Sequence, residues 1–396
     1  MKRATVTAIV PTFNRAHLLK QTVSSLLVQT RVLDRIIVVD DGSTDETAET
    51  VRKWSPRVEY LHQINSGKAA ALNLALAQVS SDYVWLMDDD DIALPSALDR
   101  HLAFLESQPD VDFSYSACFR FEGLAMPDIN KAHELDDGPP EPAPEDFLIW
   151  CLTYFPFFMQ SMLVPTACYR EVGDFDTNLP MAEDYDMIIR LARRYRGGKL
   201  AEPSFLYRTH DGARGPAAER TAAADRHAKW RDQDLILFSK IRRELSLSEF
   251  LPRGAEVDAS DPRSLRRALL QRACVMSRRG LYDEALDDID QAVALAGQKA
   301  DYHPAEHAIC TQMFNIPMAR LDTHPHFIGK AGRLLRRNAP ALLPAALKGH
   351  IWSCQRAFRQ RNYQEARQLA RNCMALAGPV GLPRSLVQLV RERAAQ

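Results

Sequence analysis

Tyr83-Val84-Trp85-Leu86-Met87 runs directly into Asp88-Asp89-Asp90-Asp91. An apolar run rich in aromatic and β-branched residues reads as a buried strand. Four carboxylates cannot follow it into a core, because an unpaired buried charge costs several kcal/mol. The chain must therefore surface at residue 88. In open α/β sheets ligands bind just beyond the carboxyl ends of the strands. A carboxylate cluster at such an edge suits a divalent cation with hard oxygen ligands. The plain alternative is a solvated acidic turn, and the upstream sequence favours the cation.

That upstream sequence alternates strand and helix. Residues 5–10 form a short β-rich run that Pro11 is expected to stop. Residues 16–29 carry Leu19, Val23, Leu26 and Leu27 on one helical face. Residues 35–39 predict a second strand ending in Asp40-Asp41-Gly42-Ser43, with Ser43 as N-cap of a following helix. Residues 58–61 predict a third strand, 68–79 an alanine-rich helix and 83–87 a fourth strand. Such a βαβαβαβ order demands right-handed crossovers and a mostly parallel sheet covered on both faces. Beyond it, 111–121 reads as one strand, 127–145 as a proline-rich acidic loop, 183–196 as a helix and 205–209 as a strand. Residues 211–218, with two glycines and a proline, read as a mobile segment.

From about residue 219 the pattern is helical, which divides the 396 residues into an α/β domain, 1–220, and an α-helical domain, 221–396. The helical part repeats itself. Gly280-Leu281-Tyr282-Asp283-Glu284-Ala285 leads to Ala294-Leu295-Ala296-Gly297, and Arg361-Asn362-Tyr363-Gln364-Glu365-Ala366 leads to Ala375-Leu376-Ala377-Gly378. The pattern is similar to tetratricopeptide helix pairs, with a plain helical bundle as the alternative. Residues 331–396 hold twelve Lys/Arg against Glu365 and Glu392, whereas the whole chain carries a net charge of −1. A basic tail suits an anionic partner or simply solvated helix faces. The overall balance gives no sign of a nucleic-acid-binding protein. Seven scattered cysteines, odd in number and without a C-x-x-C pair, signal neither zinc nor a disulfide framework and fit a reducing cytoplasm. The start of the chain has no signal-peptide pattern. The apolar stretch 147–165 is interrupted by Pro156, Gln160 and Ser161, which suits buried segments beside a site better than a membrane span.

Four stretches can meet at one sheet edge: Pro11-Thr12-Phe13-Asn14-Arg15, Asp40-Asp41-Gly42-Ser43, Asn65-Ser66-Gly67-Lys68 and the four aspartates. Together they make a polar crevice that fits a nucleotide. A carboxylate would meet the base or ribose, Lys68 the phosphate charge, and a metal the acidic turn. Neither G-x-x-x-x-G-K-[ST] nor G-x-G-x-x-G is present, so a P-loop enzyme and a dinucleotide-binding domain are both disfavoured.

These motifs, in this order, resemble family 2 glycosyltransferases of the GT-A fold, over roughly residues 5–214. The resemblance implies transfer of a sugar, with inversion, from a nucleotide diphosphate donor, UDP by family habit. It implies nucleotide-sugar contacts from Pro11, Thr12, Asn14, Arg15, Asp40, Asp41, Asn65, Gly67, Lys68, Asp88 and Asp89. It also implies a Mn²⁺ or Mg²⁺ ion on Asp90, joined by His210. Glu183-Asp184 stands where the family carries its E-D motif, which makes Asp184 the general base, with Glu183 beside it and Asp186 as the fallback. Arg208 and Arg214 are candidate phosphate contacts, and 211–218 a candidate lid. The acceptor is expected to be a glycan, a lipid-linked molecule or a protein, chosen by residues 147–166 and 211–218. The helical domain is expected to bind the acceptor, a partner protein or a second copy of the chain. The expected location is the cytoplasm, at the inner membrane face if the basic tail meets anionic lipid. The rival readings are a non-catalytic sugar-nucleotide scaffold and a nucleotidyltransferase. The second would need a glycine-rich loop where Pro11-Thr12-Phe13 stands.

Overall fold

The computed structural model describes residues 3–129, 131, 133–210, 226–258, 261–296, 301–315 and 325–394. The proposed lid, Arg214, the boundary at residue 220 and Gly297 lie outside them. The chain divides into two compact units, Met1–Gln233 and Asp234–Gln396.

Among the described residues the first unit has eleven strands: β1 (Val6–Thr12), β2 (Arg35–Asp40), β3 (Glu59–His62), β4 (Tyr83–Leu86), β5 (Ile92–Ala93), β6 (Phe113–Tyr115), β7 (Cys118–Glu122), β8 (Glu134–Asp136), β9 (Leu163–Pro165), β10 (Gly197–Lys199) and β11 (Phe205–Thr209). Seven form one sheet in the order β10-β6-β9-β4-β1-β2-β3. β1 pairs in parallel with β2 and β4, and β2 with β3. β9 runs antiparallel between β4 and β6, so the sheet is mixed. Alternate residues of β1, β2 and β4 feed two cores. Val6, Ala8, Val10, Ile36, Val38 and Trp85 meet Leu19, Val23 and Leu26 of helix α1 (Ala16–Leu27) on one face. Ile9, Ile37, Val39, Val84 and Leu86 meet Ala71, Leu72 and Ala75 on the other, beneath the helix Lys68–Leu76. Each such fully buried Leu, Ile or Val contributes about 1.5–3 kcal/mol, which is why near-continuous apolar strands form the centre.

Several sequence expectations are corrected. β1 does not stop at Pro11. The carbonyls of Val6 and Thr12 face β2 and those of Thr5 and Ile9 face β4. By that alternation the missing N–H of Pro11 points to the β4 side, beyond the last β1–β4 pair at Ile9 and Leu86, so no ladder bond is lost. Ser43 is not a helix cap. The helix it was expected to start runs Thr47–Arg52, and the Ser43 hydroxyl oxygen instead accepts the Asn14 N–H at 2.8 Å. The single strand expected over 111–121 is two strands in different sheets. They part at Ser116, whose hydroxyl is hydrogen-bonded to that of Ser204. The second sheet, β5-β11-β7-β8, was not foreseen. Its strands are two to five residues long, too short for the alternation of side chains to stand out.

The second unit is helical among its described residues. Helices Pro262–Arg279 and Tyr282–Ala296 pack as a pair, as do Leu343–Arg359 and Tyr363–Ala394. The equivalence is close: Gly280 has φ 93° and Arg361 φ 59°, and Leu281 and Asn362 each donate back to the carbonyl five residues before, Met276 and Ala357. Between them lie Pro304–Phe314 and Pro325–Asn338, which lack the Tyr and Ala-Leu-Ala-Gly markers. The helix Pro304–Phe314 packs against the first helix of both pairs, and Pro325–Asn338 against the second helix of both. Stacked helix pairs therefore build the unit. Among the described residues no helix is long and apolar enough to cross a membrane.

The stacking depends on close backbone approach. A Cβ on Gly349 would lie 1.9 Å from the Thr311 carbonyl oxygen, whereas one on Gly329 would meet nothing nearer than 3.7 Å. Gly349→Ala is expected to destabilise this unit by about 1–3 kcal/mol through overpacking. Gly329→Ala, in the same unit, is expected to gain up to about 1 kcal/mol of helix propensity. Thermal unfolding of the two variants checks this, and equal melting temperatures would contradict the packing described.

Candidate active site

The carboxyl ends of β1, β2 and β4 gather the acidic motifs. Asp40 is buried; its Oδ2 accepts the Tyr60 hydroxyl at 2.5 Å and its Oδ1 the Ser43 N–H at 2.8 Å. Asp41 is also buried and is occupied by the loop that follows β3. Its Oδ1 accepts from the Gln63 amide and the Ser66 N–H, both at 2.7 Å, and its Oδ2 from the Asn65 amide at 3.0 Å and the Gly67 N–H at 2.8 Å. Asn14, at φ 53°, ties the neighbouring turn together by accepting the Thr44 N–H at 2.7 Å. Asn14, Asp41 and Asn65 thus shape the crevice. Asp41→Ala would leave two loop N–H groups without acceptors, at a cost of about 1–3 kcal/mol. The urea midpoint should fall accordingly, with Asp41→Asn intermediate because it keeps one acceptor oxygen.

The acidic turn sorts its four carboxylates by direction. Asp89 faces inward, accepting the Thr12 hydroxyl at 2.7 Å and Arg15 Nη1 at 2.9 Å. Burial is the main force raising its pKa, and Arg15 opposes it. The same Arg15 nitrogen lies 3.0 Å from Asp90 Oδ2, and His210 Nε2 lies 3.0 Å from that oxygen as well. Arg15 lets two buried carboxylates sit side by side, and their charge raises its own pKa. Asp88, Asp90 and Asp91 form a separate group, with one carboxylate oxygen of each lying within 4.8 Å of the others. Three hard oxygen donors at that spacing fit a divalent cation. Asp91 was not among the metal ligands expected from sequence.

Asp88 also links this turn to the first residue of the helix after the Asp41-held loop. Lys68 Nζ lies 2.6 Å from Asp88 Oδ1 and 3.8 Å from Glu183 Oε1. The Gln160 amide donates to Asp88 Oδ2 at 2.5 Å. Glu183 and Asp184 open the helix Glu183–Arg194, whose first turn also holds Asp186. Glu183 is buried, and its Oε2 has no hydrogen-bond partner. Burial first, then the charge of Asp184, push its pKa up to about 8 against the pull of Lys68. Asp184 is half-buried, and its pKa is also raised, chiefly by burial. Its Oδ1 accepts the Tyr185 N–H at 2.7 Å. Asp186 pairs with Arg190 at 2.7 Å, which takes it out of the role of fallback base.

Arg208 is not a phosphate contact. It is fully buried, and its guanidinium donates to the carbonyls of Asp90, Gly123 and Ala125 and to Gln21 Oε1 at 2.7–3.0 Å. Its backbone N–H donates to Asp91 Oδ1 at 2.8 Å. Lys68, expected at a phosphate, is instead held by two carboxylates. Pro11 lies at the end of β1, beside the turn that Thr12 braces. Sequence reasoning missed Tyr60, Gln63 and Gln160 as partners of the motif aspartates. Gln160 left a readable trace, as an amide in the middle of an apolar stretch.

Comparison with known proteins agrees with this arrangement. Residues 7–156 match the sequence model of glycosyl transferase family 2. An uncharacterized glycosyltransferase of Rickettsia bellii (strain RML369-C) is 33% identical over 134 residues, covering 33% of this chain and 19% of that protein. One from Haemophilus influenzae (strain ATCC 51907 / DSM 11121 / KW20 / Rd) is 28% identical over 211 residues, covering 52% of this chain and 65% of that protein. The chain thus spans less than two thirds of either relative's length. The crystal structure of S. aureus TarS 1-349 in complex with UDP-GlcNAc superposes with a TM-score of 0.53 at 16% identity, covering 84% of this chain and 92% of that one. At that identity the likeness speaks for the fold, a mixed α/β sheet flanked by helices of GT-A-like architecture. Over residues 7–156 the chain is thus similar to the glycosyl transferase family 2 domain.

Proposed function

We propose that the first unit is an inverting, metal-dependent glycosyltransferase that moves a sugar from a nucleotide diphosphate donor, a UDP-sugar, to a glycan, lipid-linked or protein acceptor. The observation that carries this reading is the convergence of Lys68, Asp88, Glu183 and Asp184 beside the Asp88–Asp90–Asp91 group. The UDP-GlcNAc bound by TarS supports the donor class.

In this reading Asp40 and the loop held by Asp41 receive the base and ribose. Asp184 takes the proton of the acceptor hydroxyl as its oxygen bonds to the anomeric carbon. On the opposite face the bond to the diphosphate breaks, and the leaving group departs with the electron pair. A raised pKa brings Asp184 nearer working pH, where a general base is most effective. Lys68 keeps the charge of Asp88 from crowding that base. Mn²⁺ or Mg²⁺ held by Asp88, Asp90 and Asp91, with His210 alongside, would offset charge on the leaving diphosphate. The second unit, read as tetratricopeptide-like, would hold the acceptor, a partner or a second copy, since stacked helix pairs offer concave binding surfaces.

The test is hydrolysis of UDP-, GDP- and dTDP-sugars by the purified chain with Mn²⁺ or Mg²⁺, beside nucleotide binding. Metal-dependent release of one nucleotide diphosphate is expected. Neither turnover nor metal-dependent nucleotide binding would overturn the reading.

A further inference from the structure

A cavity of about 320 Å³ is formed by residues 115–118, Arg120, residues 136–139, Trp150, residues 155–158 and Lys199. The 150–160 segment connects it to the crevice. Gln160 reaches Asp88 on the crevice side, while Phe157 and Phe158 line the cavity. Tyr185, next to Asp184, donates to the carbonyls of Cys151 and Tyr154, and the Phe155 ring meets it edge-on at 5.1 Å. The far wall is fixed by Gly138 at φ 69°, where a Cβ would come within 2.6 Å of the Pro156 carbonyl oxygen.

The lining combines flat rings with charges that cancel. Phe157 stacks on Tyr115 at 4.2 Å, and Phe158 on Tyr207 at 4.6 Å. Arg120 is paired with Asp136, and Lys199 with Asp137 at 2.7 Å. Two cations against two carboxylates leave no net charge for an anion, which would meet Asp136 and Asp137. An alkyl chain would strip water from four charged groups without replacing their hydrogen bonds. A neutral pyranose satisfies both constraints. Phe157 and Tyr115 cover each other and are buried, so the sugar's C–H face packs on the side of the half-buried Phe158 ring turned away from Tyr207, and its hydroxyls donate to carboxylates and accept from Arg and Lys.

Resting on the glycosyl-transfer reading, we infer that this cavity is a subsite for a neutral pyranose unit of the acceptor. The acceptor is therefore a glycan, or carries one, and its sugar is held by Phe158 and the Arg120–Asp136 and Lys199–Asp137 pairs.

Saturation-transfer NMR on the full chain, with UDP and diamagnetic Mg²⁺ present, tests this using the methyl glycosides of glucose, galactose, mannose and N-acetylglucosamine as probes. Saturation of the ring C–H protons along one face of at least one glycoside is expected. Phe158→Leu keeps the apolar bulk and removes the flat ring; it should weaken that binding about tenfold while the variant still unfolds in one cooperative transition. No saturation with any glycoside, or undiminished binding in Phe158→Leu, would overturn the subsite. Displacement of the glycoside by a UDP-sugar, but not by UDP, would give the cavity to the donor and also overturn it. Glycoside binding in a chain that neither releases nucleotide from any donor nor binds nucleotide in a metal-dependent way would uphold the sugar site and remove the transfer reading, so the two failures are distinguishable.

Discussion

Asp184→Asn is expected to lower kcat for sugar transfer by about 10²–10⁴-fold, the usual worth of a positioned general base. The substitution is nearly isosteric, and its amide oxygen can still accept the Tyr185 N–H that Asp184 holds at 2.7 Å. Folding and nucleotide affinity should therefore be unchanged, and the loss should fall on kcat rather than KM. Glu183→Gln should cost much less. Burial already favours the neutral form of Glu183, with its pKa near 8, and glutamine preserves that neutrality and shape. A variant Asp184→Asn with more than a tenth of wild-type turnover would remove Asp184 from the base role. Asp186 does not stand ready to replace it, being committed to Arg190.

Asp90→Ala is expected to abolish metal-dependent nucleotide binding and to reduce transfer by at least about a thousandfold, since metal stabilisation of a leaving group is worth several kcal/mol. Asp90 Oδ2 is the meeting point of Arg15 and His210, each 3.0 Å away. Its removal deletes a proposed ligand, takes one contact from His210 and leaves Arg15 on Asp89. Calorimetry of UDP binding with Mn²⁺ and with chelator separates these effects. Wild type should bind more tightly with the ion, whereas Asp90→Ala should be indifferent to it. If wild type is equally indifferent, the acidic turn is not a metal site. Asp89→Asn is the control, because Asp89 faces Thr12 and Arg15 and lies outside the Asp88–Asp90–Asp91 group.

The central sheet was legible because its signals are local. The runs ending at Asp40 and Asp88 are apolar throughout, and only a strand buried on both faces tolerates that. The gathering of Thr12, Arg15, Asp41, Lys68 and Asp88 at one edge followed from their positions after successive parallel strands. Roles within the crevice were less legible, because they depend on partners far along the chain. Lys68 looks like a phosphate ligand in sequence and is captured by Asp88 and Glu183, the latter 115 positions later. The register of four consecutive aspartates was ambiguous in sequence for the same reason; what separates Asp89 from Asp90 is the Thr12 hydroxyl on one and the His210 imidazole on the other, from two other segments, with the Arg15 guanidinium shared between them. In the second unit the 81-residue repeat showed the helix pairs Pro262–Arg279 with Tyr282–Ala296 and Leu343–Arg359 with Tyr363–Ala394, while the helix Pro304–Phe314 between them carries none of its markers. Its start is instead marked by His303 and Glu306, which cap each other's backbone.

The brace supplied by Arg208 has a consequence for how the protein is made. The segment matched to the family ends at residue 156, and it already holds Asp40, Asp41 and all four aspartates of the turn. Yet the carbonyl of Asp90 and the carboxylate of Asp91 are pinned by a residue 52 positions further on. A nascent chain emerging from the ribosome thus carries every acidic motif well before it carries the strand that orders them. An internal stop or a protease cut between 156 and 208 would release a fragment with the family's sequence signature and without an assembled site.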